Sequence, residues 1–261
     1  MDEVAHYNQA RWKALAEANA LFTRPRLDLD ADAAGRWIDP EGRFGDIRGK
    51  DVLCLAAGGG QQSAAFALLG ANVTVVDLSP EQLERDARVS SEYGVTIKTV
   101  QADMRDLSEL AAASFDIVHQ PYSINFVPDC TVVFAEVAKI LRSGGQYWVA
   151  VGNPFTMNVR QGEWNGKGYA LDGPYVGGAE ITYTDQEWVY DRESNGAIEQ
   201  PVEYRHNLAT VINGLISEGF SIDHLSDSTD MNPDTGSKPG SWNHFVAYAP
   251  PWLTILARLD N

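Results

Sequence analysis

A glycine-rich turn and an aspartate further along the chain are the residues whose types and spacing most directly indicate chemistry. The turn reads Ala57-Gly58-Gly59-Gly60-Gln61-Gln62-Ser63 and follows a short apolar run. Glycine there lets the backbone turn tightly and approach a ligand without an intervening Cβ atom. Asp77 ends the next apolar run, where a carboxylate accepts hydrogen bonds from the two hydroxyls of a ribose. The pair predicts a nucleoside site, while a ligand-free tight turn and a helix-capping Asp77 are the structural alternatives.

Apolar runs of strand length alternate with helical segments from residue 51 onward. The predicted strands are DVLCLA, NVTVVD, VTIKTV, FDIVHQ and QYWVAVG, separated by helices from Gln61, from Pro80, near Leu107 and from Asp129. Continuously apolar strands between helices are typical of a parallel sheet that is covered on both faces. Ser79-Pro80-Glu81 is a helix-start pattern, and Ser143-Gly144-Gly145 is expected to stop the helix before the fifth strand.

The chain divides into four predicted parts around these strands. They are a helical cap (1–50, with helices over Val4–Phe22 and Ala31–Trp37), a cofactor-binding half (51–153), an inserted substrate lid (154–205), and a C-terminal helix with the last two strands (206–261). The lid combines many glycines with some β structure and six aromatic residues, Phe155, Trp164, Tyr169, Tyr175, Tyr183 and Trp188. In the last part, NLATVINGLISEGF and SIDHLSD are followed by a loop to Pro251 and the strand WLTILARL.

Composition narrows the function classes. Twenty Lys and Arg against 36 Asp and Glu give a net charge of −16, which repels nucleic acid and anionic lipid. No apolar stretch of about 18 residues could span a bilayer, and the acidic start lacks the apolar core of a secretory signal, so a cytoplasmic location is expected. Cys54 and Cys130 lie in apolar runs and are predicted to be reduced and buried.

From about residue 50 to the C-terminus, the sequence resembles the class I S-adenosylmethionine-dependent methyltransferases. The similarity is carried by the glycine turn and Asp77, by Ala102-Asp103-Met104, and by the runs SFDIVHQPYSINFVPD and FAEVAKILRSGGQYWVAV. LISEGFSI followed by WLTILARL resembles the family's sixth and antiparallel seventh strands. The resemblance implies an α/β, Rossmann-like sheet of seven strands, mostly parallel with an antiparallel last strand, and an enzyme that uses S-adenosylmethionine.

The resemblance also implies roles for particular residues. The cofactor would contact Ala57, Gly58, Gly60, Asp77, Leu78, Asp103, Met104 and Gln120, while Tyr122 and Asn125 would face a small-molecule acceptor whose O or N atom is methylated. No metal is implied. Two positions depart from the family pattern, since an acid often stands where Cys54 is and a glycine where Ala56 is. A catalytically silent cofactor-binding subunit is therefore one alternative.

Methyl transfer from a sulfonium requires alignment and, for some acceptors, removal of a proton. His206 is the predicted base, because it ends the lid just before the helix that borders the substrate pocket in the family. A surface or helix-capping histidine is the alternative for that position. His119, at the end of the fourth strand, is a second candidate base or a buried histidine that holds the loop.

The main alternative function is an NAD(P)-dependent oxidoreductase. The segment from Gly58 to Ser63 nearly satisfies the dinucleotide fingerprint, with serine in place of the third glycine. The order and direction of the last strands discriminate between the two folds. The sequence alone leaves the acceptor and the oligomeric state open.

Overall fold

The computed structural model describes residues 1–171, 173–183, 189–227 and 232–260. The strands are β1 (Asp51–Leu55), β2 (Asn72–Asp77), β3 (Ile97–Gln101), β4 (Phe115–Gln120), β5 (Leu141–Gly152), β6 (Glu180–Thr182), β7 (Val202–Tyr204), β8 (Phe220–Ser226) and β9 (Trp252–Leu259). The helices are α1 (Glu3–Glu17), α2 (Ala31–Ile38), α3 (Gln62–Leu68), α4 (Pro80–Tyr93), α5 (Cys130–Ile140), α6 (Arg192–Asn195), α7 (Leu208–Ser217) and α8 (Trp242–Tyr248).

Seven strands form one sheet in the order β3-β2-β1-β4-β5-β9-β8. β1 to β5 pair in parallel, whereas β9 is antiparallel to both β5 and β8. This arrangement confirms the predicted fold class and decides against the nicotinamide-binding alternative. The strand order reverses between β1 and β4, and the crevice outside the carboxyl ends of such strands is where open α/β sheets bind ligands.

Apolar side chains on both faces of the central strands explain the layered architecture. Leu53 and Val118 pack toward α5 and α7, while Val52 and Ile117 pack toward α2 and α3. The sheet is therefore buried between two helical layers, as its continuously apolar strands predict. Cys54 and Cys130 are buried free thiols. No described helix is long and apolar enough to cross a membrane.

Three local predictions are wrong. The segment near Leu107 forms turns instead of a helix, because its backbone N–H donates to the Glu136 carboxylate (2.9 Å) and its side chain is buried in the core. The predicted C-terminal loop contains α8, whose Phe245 packs against the lid residues Val159 and Tyr169. β5 begins at Leu141, so the glycines at 144 and 145 lie at an irregularity in the strand and do not precede it.

The flanking segments cover the carboxyl ends of the central strands. α1 ends at Glu17, earlier than predicted, and is followed by a short 3₁₀ turn over Leu21–Thr23. Its Asn8 side chain donates to the Phe126 carbonyl (2.8 Å), and Gln9 donates to the Leu78 carbonyl (3.0 Å). In the segment from 154 to 205, β6 and β7 form a separate antiparallel pair. Trp188 of the predicted lid lies outside the described residues.

Candidate active site

A cavity of about 550 Å³ opens at the carboxyl ends of β1, β2 and β4. Its lining comes from α1, the glycine turn, the ends of β2 and β3, the segment after β4, the β6–β7 pair and α8. Of the predicted site residues, it contains Ala57, Gly58, Asp77, Leu78, Asp103, Met104 and Tyr122. Gly60, Gln120, Asn125, His119 and His206 are not part of the lining.

The glycine turn is held too closely for larger side chains. The Gly58 N–H donates to Asp77 Oδ2 (2.8 Å), and a Cβ atom at Gly58 would lie 2.7 Å from the Gln82 Cβ. Gly60 has a φ of +73°, and a Cβ atom there would lie 2.5 Å from a methyl group of Val89. Gly58 therefore presents backbone to the cavity, whereas Gly60 fixes the turn from behind.

A buried acid that the sequence analysis missed lies behind this turn. Asp86 of α4 accepts hydrogen bonds from the N–H groups of Gly59 (2.9 Å) and Gly60 (3.0 Å) and from the hydroxyl of Ser63. Burial raises the pKa of Asp86 to about 7. An acid inside the amphipathic pattern of α4, nine residues after Asp77, was the only sequence signal for it.

Asp77 lies between the glycine turn and the start of α4. Besides the Gly58 contact, its Oδ1 atom accepts from the Ser79 N–H (2.9 Å), and the residue lines the cavity. Burial raises the pKa of Asp77, and hydrogen bonds from the Ser79 and Gly58 backbone oppose that shift. Each carboxylate oxygen has a second lone pair for a ligand hydroxyl.

The third predicted contact region, after β3, is tied to the N-terminus. Arg105 donates to both Asp103 (2.6 Å to Oδ2) and Asp2 (2.7 Å), whose carboxylate also caps the first turn of α1. These hydrogen bonds hold the pKa of Asp2 well below its usual range. Arg105 therefore fastens α1 over the region where Met104 lines the cavity.

Two residues predicted to contact ligands are instead in supporting positions. The Gln120 side chain is fully buried, donates to Ser123 (3.1 Å) and accepts from the Tyr147 hydroxyl. Asn125 accepts from the Gly152 N–H (2.7 Å) and donates to the Tyr204 carbonyl (2.9 Å). Both therefore brace the segment after β4 without lining the cavity.

Of the predicted site residues in this segment, Tyr122 is the one that lines the cavity. Its hydroxyl donates to Glu203 Oε2 (2.6 Å), and the Tyr183 hydroxyl donates to Oε1 of the same carboxylate. All three side chains line the cavity, although Glu203 is only 3% exposed. Sequence analysis missed Glu203 because it is one acid among several in the lid.

The two candidate histidines lie elsewhere. His206 is 2% exposed, its Nε2 atom lies 3.1 Å from the Ile124 carbonyl oxygen, and burial lowers its pKa. His119 stacks on Trp148 with ring centroids 4.2 Å apart, and burial lowers its pKa to about 3. Neither imidazole contributes to the cavity lining, so the geometry does not support either one as the base.

The cavity has the donor and acceptor groups that an adenosine-containing cofactor needs. Gly58 presents backbone without a Cβ atom, and Asp77 supplies a carboxylate at the end of the adjacent strand. Gln82 also lines the cavity, and its buried Oε1 atom has no hydrogen-bond partner in the described part of the chain. These features fit a nucleoside with ribose hydroxyls. Across the described residues, no group of three or more His, Cys, Asp or Glu side chains is arranged to hold a metal ion.

Comparison with known proteins identifies the family. Residues 53–149 match the family described as a methyltransferase domain. The chain is 33% identical over 217 residues to the uncharacterized methyltransferase YbaJ of Bacillus subtilis (strain 168), and the match covers 81% of each protein. The chain belongs to the class I S-adenosylmethionine-dependent methyltransferases. As a member of this family it is a methyltransferase whose cofactor is S-adenosylmethionine, which confirms the resemblance.

Two further comparisons place this methyltransferase among its relatives. It is 32% identical over 149 residues to the ubiquinone biosynthesis O-methyltransferase of Xanthomonas axonopodis pv. citri (strain 306), in a match that covers 51% of this chain and 62% of that protein. The crystal structure of an S-adenosylmethionine-dependent methyltransferase from Mesorhizobium loti shares the fold, with a TM-score of 0.64 and 22% identity over 87% of this chain and 99% of that one.

Proposed function

We propose that this methyltransferase transfers a methyl group to an oxygen or nitrogen atom of a small, largely apolar acceptor. The observation that carries the proposal is that one cavity is lined both by residues predicted to bind the cofactor and by a group of apolar and aromatic side chains. That group consists of Trp12, Phe126, Met157, Ile181, Trp242, Phe245 and Trp252. A volume of about 550 Å³ lies inside the range of about 300 to 1,000 Å³ that is usual for small-molecule sites.

We assign the cofactor to the half of the cavity near the glycine turn. Gly58 and Ala57 would present backbone to it, and Asp77 would accept its ribose hydroxyls. Leu78, Asp103 and Met104 would surround the adenine, while Gly60 and Gln120 would act from behind the lining. Bound there, S-adenosylmethionine supplies an electrophilic methyl group, so the protein chiefly has to align a nucleophile with it and keep water out.

The flanking segments would complete the enclosure, in line with the proposed division into a cap (1–50), a cofactor half (51–153), a lid (154–205) and a C-terminal part (206–261). α1 contributes Asn8 and Trp12 to the lining, and the lid contributes β6 and β7. The net charge of −16 disfavours a nucleic acid as acceptor. The O-methyltransferase relative supports oxygen as the methylated atom.

The test is transfer of label from methyl-labelled S-adenosylmethionine to defined mixtures of phenols, alcohols and amines. We expect label in a low-mass product, detected by mass spectrometry, with Asp77→Ala as a binding-deficient control. Label in added RNA or protein alone would contradict the proposal. Cofactor binding without transfer to any of these compounds would contradict the proposed acceptor class.

A further inference from the structure

We infer that Glu203 recognises the reacting group of the acceptor and takes its proton, so that the acceptor presents a neutral hydroxyl or amine and no anionic group at this point. The inference rests on the proposed function. Glu203 is in β7, directly opposite Ile181 of β6, and both side chains line the cavity.

The surrounding hydrogen bonds fix Glu203 near the point where the strand order reverses. Tyr122, which donates to it, lies two residues beyond the end of β4. A Cβ atom on Gly152, the last residue of β5, would lie 3.1 Å from the Tyr122 hydroxyl, so the glycine makes room for that ring. Asn125 links the Gly152 N–H to the Tyr204 carbonyl and thereby holds β7 beside the ends of the central strands.

The neighbours of the carboxylate orient it as a hydrogen-bond acceptor. Burial raises the pKa of Tyr122 well above its usual value, and the negative charge of Glu203 adds to that shift. Tyr122 therefore keeps its proton and donates to Glu203 at neutral pH. A carboxylate has about four lone-pair sites, so it has the capacity to accept from a ligand while the tyrosine hydroxyls orient it.

The side chains around Glu203 influence which ligands can bind beside its carboxylate. Tyr122 packs edge-on against Phe126 and Trp252, with ring centroids 6.2 Å apart in both pairs. Beside a carboxylate that is 3% exposed, a second negative charge is strongly unfavourable, whereas an O–H or N–H donor satisfies the carboxylate. Glu203 thus favours phenols, alcohols and amines over carboxylates and phosphates.

The proposed reaction, methyl transfer with removal of the acceptor's proton, is balanced in atoms and charge. The lone pair of the acceptor O or N atom forms a bond to the methyl carbon while the carbon–sulfur bond breaks and its electron pair stays on sulfur. The proton of the acceptor passes to a Glu203 oxygen, which forms a neutral carboxylic acid. Return of that proton to water restores the carboxylate, so no oxidant or metal ion is required.

Binding of matched compounds tests the inference without turnover. The protein saturated with S-adenosylhomocysteine is titrated calorimetrically with 4-propylphenol, 4-propylaniline and 4-propylbenzoate. We expect the phenol and the aniline to bind at least about tenfold more tightly than the benzoate, because like charges in a desolvated site repel. Glu203→Gln should remove most of that preference, while Glu199→Gln, an exposed acid four residues away, should retain it.

Equal affinity for phenol and benzoate in the wild-type protein, or an unchanged preference in Glu203→Gln, would overturn the inference. Failure of both neutral compounds to bind would overturn it as well. If Glu203→Gln does not fold, the wild-type affinities for the phenol and the benzoate decide the question, because equal values overturn the inference. Transfer of label to RNA or protein, while neutral compounds still bind more tightly than the benzoate, would contradict the proposed function but not this inference. Equal methylation of a small phenol by wild type and Glu203→Gln would contradict this inference alone.

Discussion

The buried carboxylate of Asp86 accepts a hydrogen bond of 3.0 Å from the backbone N–H of Gly60, and so fastens the glycine turn to helix α4. The same carboxylate accepts from Gly59 and Ser63. Cys54, in the strand leading to the turn, stands where the family resemblance leads us to expect an acid. Asp86 thus supplies a carboxylate behind the turn from a different element.

Asp86 makes stability depend on pH. Burial raises its pKa from 3.8 to about 7, so the folded protein prefers the protonated carboxyl. The stability that the protonated Asp86 carboxyl group contributes to the folded state is fully present below about pH 4 and is lost as the pH rises to about 7. Asn cannot ionise, so Asp86→Asn should gain stability relative to the wild type across this window, by up to about 4 kcal/mol.

Urea unfolding at several pH values between 4 and 7.5 measures this difference. Glu84→Gln, an exposed acid on the same helix, is the control and should follow the wild type throughout. A constant difference between Asp86→Asn and the wild type would show that Asp86 does not titrate in this range.

Ala56 provides a second test of the turn. Its φ of +46° is in the left-handed region, where a side chain costs roughly 1 to 2 kcal/mol. Glycine removes that strain but loses more entropy on folding, so Ala56→Gly should stabilise the protein by about 0.5 to 1 kcal/mol. Ala57→Gly, at a residue without positive φ, should destabilise it, and the two free energies of unfolding are compared directly.

Arg105 connects α1 to the region after β3. The Asp2 side chain is 56% exposed, so the ion pair that holds α1 contributes modestly, about 0.2 to 1 kcal/mol. Arg105→Gln should therefore raise the rate of S-adenosylhomocysteine dissociation about two- to fivefold and increase hydrogen exchange in α1. Arg48→Gln, which removes an exposed pair with Asp46, should leave both unchanged.

The sheet was predictable from sequence because its strands are continuously apolar and its helices carry local caps. β2, β4 and β9 match the predicted runs residue for residue. The short helix expected near Leu107 does not form, because the Leu107 backbone N–H donates to the distant Glu136 carboxylate. Capping and periodicity are local signals, and they carry no information about such distant partners.

The residues that we propose for the cofactor were also easier to predict from sequence than the residue that we propose for the acceptor. Gly58 and Asp77 belong to a fixed spacing within one strand–turn–helix–strand unit. Glu203 reaches the cavity only through the pairing of β6 with β7, far along the chain from Tyr122. His206 was predicted to be the base because it lies at the end of the lid, but its imidazole faces the Ile124 carbonyl.

His206 and Glu203 can be separated by kinetics once an acceptor is found. Glu203→Gln should lower kcat by about 10²-fold or more, as expected for loss of a general base. His206→Asn should change kcat by much less and lower the free energy of unfolding by about 1 kcal/mol, because a buried hydrogen bond is altered. A large loss of kcat in His206→Asn with unchanged S-adenosylhomocysteine affinity would restore His206 as the base.

Calorimetric titration with S-adenosylhomocysteine tests the placement of the cofactor most directly. The wild-type protein should bind it in preference to NAD and NADP, and Asp77→Ala should weaken binding by roughly 1.5 to 3 kcal/mol, the range for hydrogen bonds to a charged group. Thermal unfolding of the variant, which also loses the contacts to Gly58 and Ser79, confirms that it is folded at the titration temperature. Unchanged affinity in a folded Asp77→Ala protein, or binding of NAD in place of S-adenosylhomocysteine, would contradict the account.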